Sequence, residues 1–260
     1  MKLNRFLMLT ISGLAFSGIL TAQAVSVPST PAPTTSFTPE QTKAIQQIVH
    51  DYLLNNPEIL LRVSEKLRKN MEQKAQQQTL QSIQANKQKL FHDASNPVAG
   101  NPHGNKILVE FFDYQCPHCK SVNKAIQALI SKNPDLKVIF KELPILGENS
   151  MLASKAALAA NMQGKYLPLH DAMLAENEQL TEAKIMELAK KADINTDQLK
   201  RDMDSPAVMQ QITANGELAR AMDLAGTPAF IITDNKEKQF EFIPGETTEQ
   251  TLQDKLNQLK

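Results

Sequence analysis

Residues 107–119 read Ile-Leu-Val-Glu-Phe-Phe-Asp-Tyr-Gln-Cys-Pro-His-Cys. The first six form an apolar run broken only by Glu110, the pattern of a central strand buried on both faces. Cys116, Pro117, His118 and Cys119 follow at once. Pro117 suits the first turn of a helix, where its missing N–H leaves nothing unpaired, and residues 117–132 continue at helical spacing. Cys116 therefore stands at a helix N-terminus, where it can be exposed, and Cys119 lies one turn further in. Free N–H groups and the helix dipole favour a thiolate there, and His118 adds a neighbour able to carry positive charge. A thiolate stabilised in this way is a good leaving group, which shifts the pair toward an oxidant.

Three other uses of the pair compete with redox catalysis. As a structural staple, a four-residue loop yields only about 1.9 kcal/mol, against about 3 for a fifteen-residue loop. As a metal or copper site, the pair lacks partners at ligand spacing. As inert buried thiols in an exported chain, cysteines this close would oxidise. Redox catalysis is the reading that uses all four residues.

Outward from this element, residues 136–143 read as a second buried strand. Helical patterns follow at 149–162, 166–176, 181–192 and 196–203, and a further helix runs from Ser205-Pro206 to Leu224. Residues 228–233 form a strand, 234–235 a turn, 239–243 its hairpin partner and 247–259 a closing helix. The order is β-α-β, helical insert, α-β-β-α. Pro228 belongs at a strand start because it cannot donate to a ladder. Thr227-Pro228 alone is a weak signal and gains weight beside the Cys-x-x-Cys helix. Glu110, six residues before Cys116, is a charge inside a buried strand. A carboxyl there can relay protons to Cys119 and has a raised pKa; the alternative is a solvated strand end. Lys141 in the next strand is a possible partner for it. Met151, Met162, Met173 and Met186 fit helix packing better than a copper box.

Upstream, Lys2 and Arg5 precede an apolar stretch at 6–20, and Ala22-Gln23-Ala24 fits a cleavage site. Residues 1–24 thus read as a signal peptide cleaved after about Ala24, which places the product in the periplasm or cell envelope. Residues 25–37 are a Pro/Ser/Thr-rich linker. Thr38, Pro39 and Gln41 form a capping box with Pro at the first helical position. Ile45, Ile48, Val49, Tyr52 and Leu53 then repeat at helical spacing, up to Asn55-Asn56-Pro57. From Glu58 to Asn96 there is neither Gly nor Pro, which predicts one long helix over 57–92, polar on every face from Glu72 to Thr79, after which Leu80, Ile83, Leu90 and Phe91 resume a sparse apolar stripe. His50 and His92 read as surface or packing residues. The apolar stripes over 38–95, Leu60, Val63 and Leu67 included, have no core of their own. Residues 38–95 therefore read as a helical oligomerisation and linker region, most simply a homodimer, with a trimer as the alternative.

Basic and acidic residues balance at 28 each, which removes the electrostatic term that nucleic-acid binders rely on. Tryptophan is absent and aromatics are 5%, which disfavours a β-sandwich or a carbohydrate-stacking site. Two cysteines make neither a disulfide-rich scaffold nor a four-cysteine zinc site.

The stretch 109–119 resembles the active-site strand and turn of the DsbA-like branch of the thioredoxin superfamily. Residues 215–232, NGELARAMDLAGTPAFII, resemble the segment leading into that family's cis-proline loop, and 151–174 its inserted helical domain. The resemblance covers about 97–260. It implies an α/β thioredoxin-like fold over 96–260 with a helical insert at about 144–204, preceded by the N-terminal α-helical oligomerisation arm. It implies Cys116 as the attacking cysteine, Cys119 as the resolving one, and a cis Pro228 facing them, with Thr227 offering backbone groups to client peptides. An acidic residue at the position of Glu110 also belongs to the family pattern. Pro117-His118 is the dipeptide of the oxidising members. Thr227 before the proline is more like the dimeric periplasmic isomerases, whose dimerisation arms the N-terminal helices resemble in arrangement.

The expectation is an exported thiol:disulfide oxidoreductase that forms and isomerises disulfides in secreted or envelope proteins. It needs no cofactor and no metal. Its partners are unfolded or misoxidised exported proteins and a membrane redox partner, with no nucleic acid. The alternative is a non-catalytic chaperone or surface binding protein on the same fold.

Overall fold

The computed structural model describes residues 37–259. Residues 1–24, expected to be a signal peptide, and the expected linker before Phe37 lie outside the described residues. The chain divides into two compact units, Met1–Leu61 and Arg62–Lys260.

In the first unit, helix α1 covers Pro39–Asn55. Thr38 caps it: its hydroxyl accepts from the Gln41 N–H at 3.2 Å, and the Gln41 side chain accepts from the Thr38 N–H at 2.9 Å. No residue of α1 is buried; Ile48 is 67% exposed and Tyr52 58% exposed. Asn56 and Pro57 separate it from α2, Glu58–Ala85, whose later part belongs to the second unit.

The single long helix expected over 57–92 is instead two. Helix α2 stops at Ala85, and α3 covers Lys87–Phe91. The cause is local. The Asn86 side-chain amide donates to the Ser82 carbonyl at 2.9 Å, and the Asn86 N–H is shared between the Ser82 and Ile83 carbonyls at 3.1 Å each, as at a helix end. The break turns Leu90 and Phe91 into the core beside Ile83.

The second unit is built on a five-stranded sheet of order β1-β3-β2-β4-β5. Its strands are β1 Val98–Gly100, β2 Lys106–Phe112, β3 Leu136–Glu142, β4 Ala229–Asp234 and β5 Glu241–Pro244. Strands β2 and β3 are parallel, joined through helix α4, Pro117–Lys132; all other pairs are antiparallel. Side chains alternate across the sheet. Leu108, Phe112, Val138, Phe140, Phe230 and Ile232 face a core shared with α4 and the helices that follow β3. Val109, Phe111, Ile139 and Ile231 face a second core with Ile83, Leu90, Phe91 and Leu218. Between β3 and α9, Pro206–Ala221, the chain forms four helices: α5 Glu148–Met162, α6 Tyr166–Ala175, α7 Glu182–Lys191 and α8 Thr196–Met203. Helix α10, Glu249–Gln258, closes the sheet. This is a thioredoxin-like fold with an inserted helical domain.

Strand β1 has no counterpart in the sequence reading. It is three residues long and exists only by pairing with β3. Gly100 ends it at φ +74°, and a β-carbon there would collide with the Leu136 carbonyl oxygen. Gly100→Ala should therefore destabilise the protein by at least about 2 kcal/mol, since both conformation and space oppose it. Denaturant unfolding checks this; an unchanged midpoint would contradict the close approach.

Candidate active site

Cys116 is the N-cap of α4, in an extended conformation, with Pro117 in the first turn. Its carbonyl accepts from the Cys119 and Lys120 N–H groups, each at 3.1 Å. Its Sγ donates to the Thr227 carbonyl at 3.3 Å. The Thr227–Pro228 peptide bond is cis, and Pro228 is held to the loop after β5 by the Gly245 N–H donating to its carbonyl at 2.8 Å. Both cysteines are free thiols. Cys116 is only 4% exposed, so the exposure expected at the helix end is corrected: the strand-leading loop at Thr227 covers the sulfur. Cys119 is fully buried. Burial first, then the nearby Glu110 and Cys116, holds its thiol far above the ordinary range.

Glu110 lies in mid-strand, between Phe140 of β3 and Phe230 of β4, on the sheet face that carries Cys119 in its core. It is 2% exposed, and burial, helped by the Glu142 charge, pushes its carboxyl up to about 8. It is thus no solvated strand end. Lys141 does not pair with it. Lys141 stands opposite Phe111 in the register, so it points to the other face of the sheet. There its Nζ donates to the Lys89 carbonyl at 2.6 Å, and burial lowers its pKa to about 8 against the opposing pull of Asp93.

Four features around the cysteines were not read from the sequence. Asp113 is fully buried and braces the turn that leads into Cys116. Its Oδ1 accepts from the Gln115 N–H and the Ser150 hydroxyl, both at 2.7 Å, and its Oδ2 from the N–H groups of Ile145 and Leu146 at 2.8 and 3.0 Å. Glu142, also buried, accepts from the hydroxyls of Ser154 at 2.7 Å, Tyr166 at 2.8 Å and Tyr114 at 3.0 Å. Burial still pushes its carboxyl up to about 8, although these three hydrogen bonds oppose the shift. His170, 3.0 Å from the Tyr114 hydroxyl, is kept neutral by burial, which lowers its pKa to about 3. Glu246 lies on the other flank. Its Oε2 is 2.6 Å from His118 Nδ1, and its Oε1 accepts from the Ser121 hydroxyl. These bonds, Ser121 first, lower the Glu246 pKa. Apart from Gln115, two residues from Asp113, the partners are 12 to 128 residues apart in sequence, so no local spacing announces them.

Of the four methionines, Met173 is fully buried, Met151 and Met186 pack against the core, and Met162 is 54% exposed. Among the described residues no group of three or more His, Cys, Asp or Glu side chains is placed to hold a metal. No helix of the described residues is long and apolar enough to cross a membrane.

The buried Cys-x-x-Cys helix end under a cis-proline loop agrees with comparison to known families: the DSBA-like thioredoxin domain matches residues 107–257. The chain belongs to that family. A second family, the copper resistance protein ScsC N-terminal domain, matches residues 41–78 of this DSBA-like chain. The crystal structure of BcfH from Salmonella enterica Typhimurium is 33% identical, with a TM-score of 0.72 over 84% of this chain and 95% of BcfH. Disulfide bond formation protein D of Bacillus subtilis is 30% identical over 159 residues, 55% of this chain and 70% of that protein. A stretch of 141 residues, 54% of this chain, is 24% identical to the Na(+)/H(+) antiporter NhaA 3 of Salinispora tropica; it spans 22% of the antiporter's length.

Proposed function

We propose that this DSBA-like chain is an exported thiol:disulfide oxidoreductase that forms and isomerises disulfides in secreted or envelope proteins. The observation that carries the reading is the Cys116 sulfur at the N-terminus of α4, 3.3 Å from the Thr227 carbonyl, with Cys119 and Glu110 buried behind it. In the reducing direction, the Cys116 thiolate attacks one sulfur of a client disulfide. That S–S bond breaks, the second client sulfur leaves as a thiolate and takes a proton, and a Cys116–client mixed disulfide forms. Cys119 then gives its proton to Glu110 once that carboxyl, held protonated up to about pH 8, has released its own, and attacks the Cys116 sulfur. The remaining client thiol is released, and the Cys116–Cys119 disulfide has lost the two electrons the client gained. Oxidation runs the same steps backward. In isomerisation, the freed client thiolate attacks elsewhere in the client and a client thiolate resolves the mixed disulfide, with no net redox change. Pro117 and His118 set the helix end, and Thr227 and Pro228 offer backbone groups to an extended client.

We read residues 38–95 as an oligomerisation and linker arm and the assembly as a homodimer. Ile45, Ile48, Val49, Tyr52, Leu60, Val63 and Leu67 are each more than 40% exposed in the single chain. Burying each is worth about 1.5–3 kcal/mol, so a second copy has much to gain by covering them. The mature chain should reduce insulin and reactivate scrambled ribonuclease, and light scattering at micromolar concentration should give twice the chain mass. Deleting 37–78, which spares Ile83, Leu90 and Phe91 of the core, should leave a monomer that reduces insulin but loses most reactivation. A full-length monomer would remove the arm's role and the isomerase reading, and three times the chain mass would replace the dimer with a trimer.

A further inference from the structure

Gly226, the residue before Thr227, also lines a groove of about 340 Å³. Ile145 in the loop after β3, Met151 of α5, and Met209, Ile212 and Arg220 of α9 line it too. Neither His118 nor Glu246 does, so the groove is separate from the flank where that pair sits. Its volume lies at the lower end of the range for ligand pockets, roughly 300–1,000 Å³. Ile145 and the adjoining Leu146 are each 51% exposed and Met209 is 37% exposed, apolar surface that nothing among the described residues covers. The lip is nonetheless rigidly placed. The buried Asp113 carboxylate takes the N–H groups of both Ile145 and Leu146, and that of Gln115 beside Cys116. One side chain thus sets the distance between the groove and the reacting sulfur, and a surface ordered in advance loses less entropy on binding. Arg220 is the one charged residue in the lining, is exposed, and makes no ion pair among the described residues.

We infer that this groove is a client-recognition subsite that selects an extended polypeptide with a large apolar side chain two residues from its reacting cysteine and a carboxylate beyond it. The inference rests on Cys116 as the attacking thiol. A client cysteine joined to Cys116 lies beside Thr227. An extended chain advances about 3.3 Å per residue and returns side chains to the same face every second residue. Two residues on, about 7 Å away, a client running beside residues 225–227 projects its next same-face side chain over Gly226 and into the groove. The next side chain on that same face, two residues further, is directed at the groove wall that carries Arg220, whose charge is complementary to an acidic side chain.

The test uses the mature chain and two synthetic disulfide peptides, one with Leu at both second positions from cysteine and Asp beyond, the other with Gly and Lys. The wild type should exchange with the Leu/Asp peptide with a kcat/KM about tenfold or more above the Gly/Lys peptide. Peptides that differ only in Asp or Lys isolate Arg220. Arg220→Glu should lose about threefold on the Asp form and gain about as much on the Lys form, while its exchange with oxidised dithiothreitol stays at the wild-type rate. A gain on one peptide cannot come from misfolding. Equal kcat/KM for all peptides in a wild type active toward dithiothreitol overturns the subsite and leaves Cys116 chemistry standing. A wild type inert toward dithiothreitol as well removes the catalytic reading, and the subsite with it.

Discussion

Cys116→Ser should abolish thiol–disulfide exchange, a loss of at least about a thousandfold, because a serine hydroxyl is no nucleophile toward a disulfide at neutral pH. Cys119 cannot replace it. It is fully buried, and its thiol is held far above the ordinary range, so almost no thiolate exists to attack. The reverse variant should behave differently. Cys119→Ser keeps the first attack but removes the resolving sulfur, so mixed disulfides with clients should accumulate at Cys116. Insulin reduction measures the first loss, and mass spectrometry of trapped complexes the second. Near-normal insulin reduction by Cys116→Ser, or no trapped client on Cys119→Ser, would sink the assignment of the two roles.

Glu110→Gln should stabilise the dithiol protein and slow its resolution step. Between the ordinary carboxyl value of 4.5 and about 8, the folded chain holds a proton on Glu110 that the unfolded chain has released. Stability from this group is present below pH 4.5 and is lost as pH rises through 8, at about 1.4 kcal/mol per pH unit. At pH 8 the variant should therefore exceed the wild type by about 4 kcal/mol, with little difference at pH 4.5. Glu142 is raised in the same direction to about 8, so the pH slope should be roughly halved rather than removed. Mixed disulfides should also live longer, because Cys119 loses the neighbouring carboxylate that accepts its proton. Urea unfolding at a series of pH values measures the slope, and single-turnover exchange measures the resolution. A variant with the wild-type slope would show that Glu110 does not carry the buried proton.

The long-helix expectation failed at one residue. Nothing in the hydrophobic pattern of 57–92 interrupts a helix, but at Asn86 the backbone N–H is split between the Ser82 and Ile83 carbonyls, and Leu90 and Phe91 gain burial when the chain turns there. Propensity along a segment gave way to packing against the sheet. Exposure of Cys116 was misjudged for a related reason. A helix N-cap is open in isolation, and only the return of the chain 111 residues later, at Thr227, closes over the sulfur.

The sequence by itself determined the redox element. A continuous apolar strand, a proline in the first helical turn and cysteines three apart are local signals, each set by the residue's own conformational limits and the period of its element. The capping box at Thr38 and Gln41 was legible on the same ground, since its partners lie three residues apart. Tertiary structure alone decided what surrounds that element: the second neighbour that β1 gives β3, the Asp113 brace, the Glu246 clamp on His118, and the groove beside Gly226. Those features join residues far apart in the chain. Their geometry depends on how two sheet faces bury their side chains, and no spacing along the sequence encodes a distance that only packing creates.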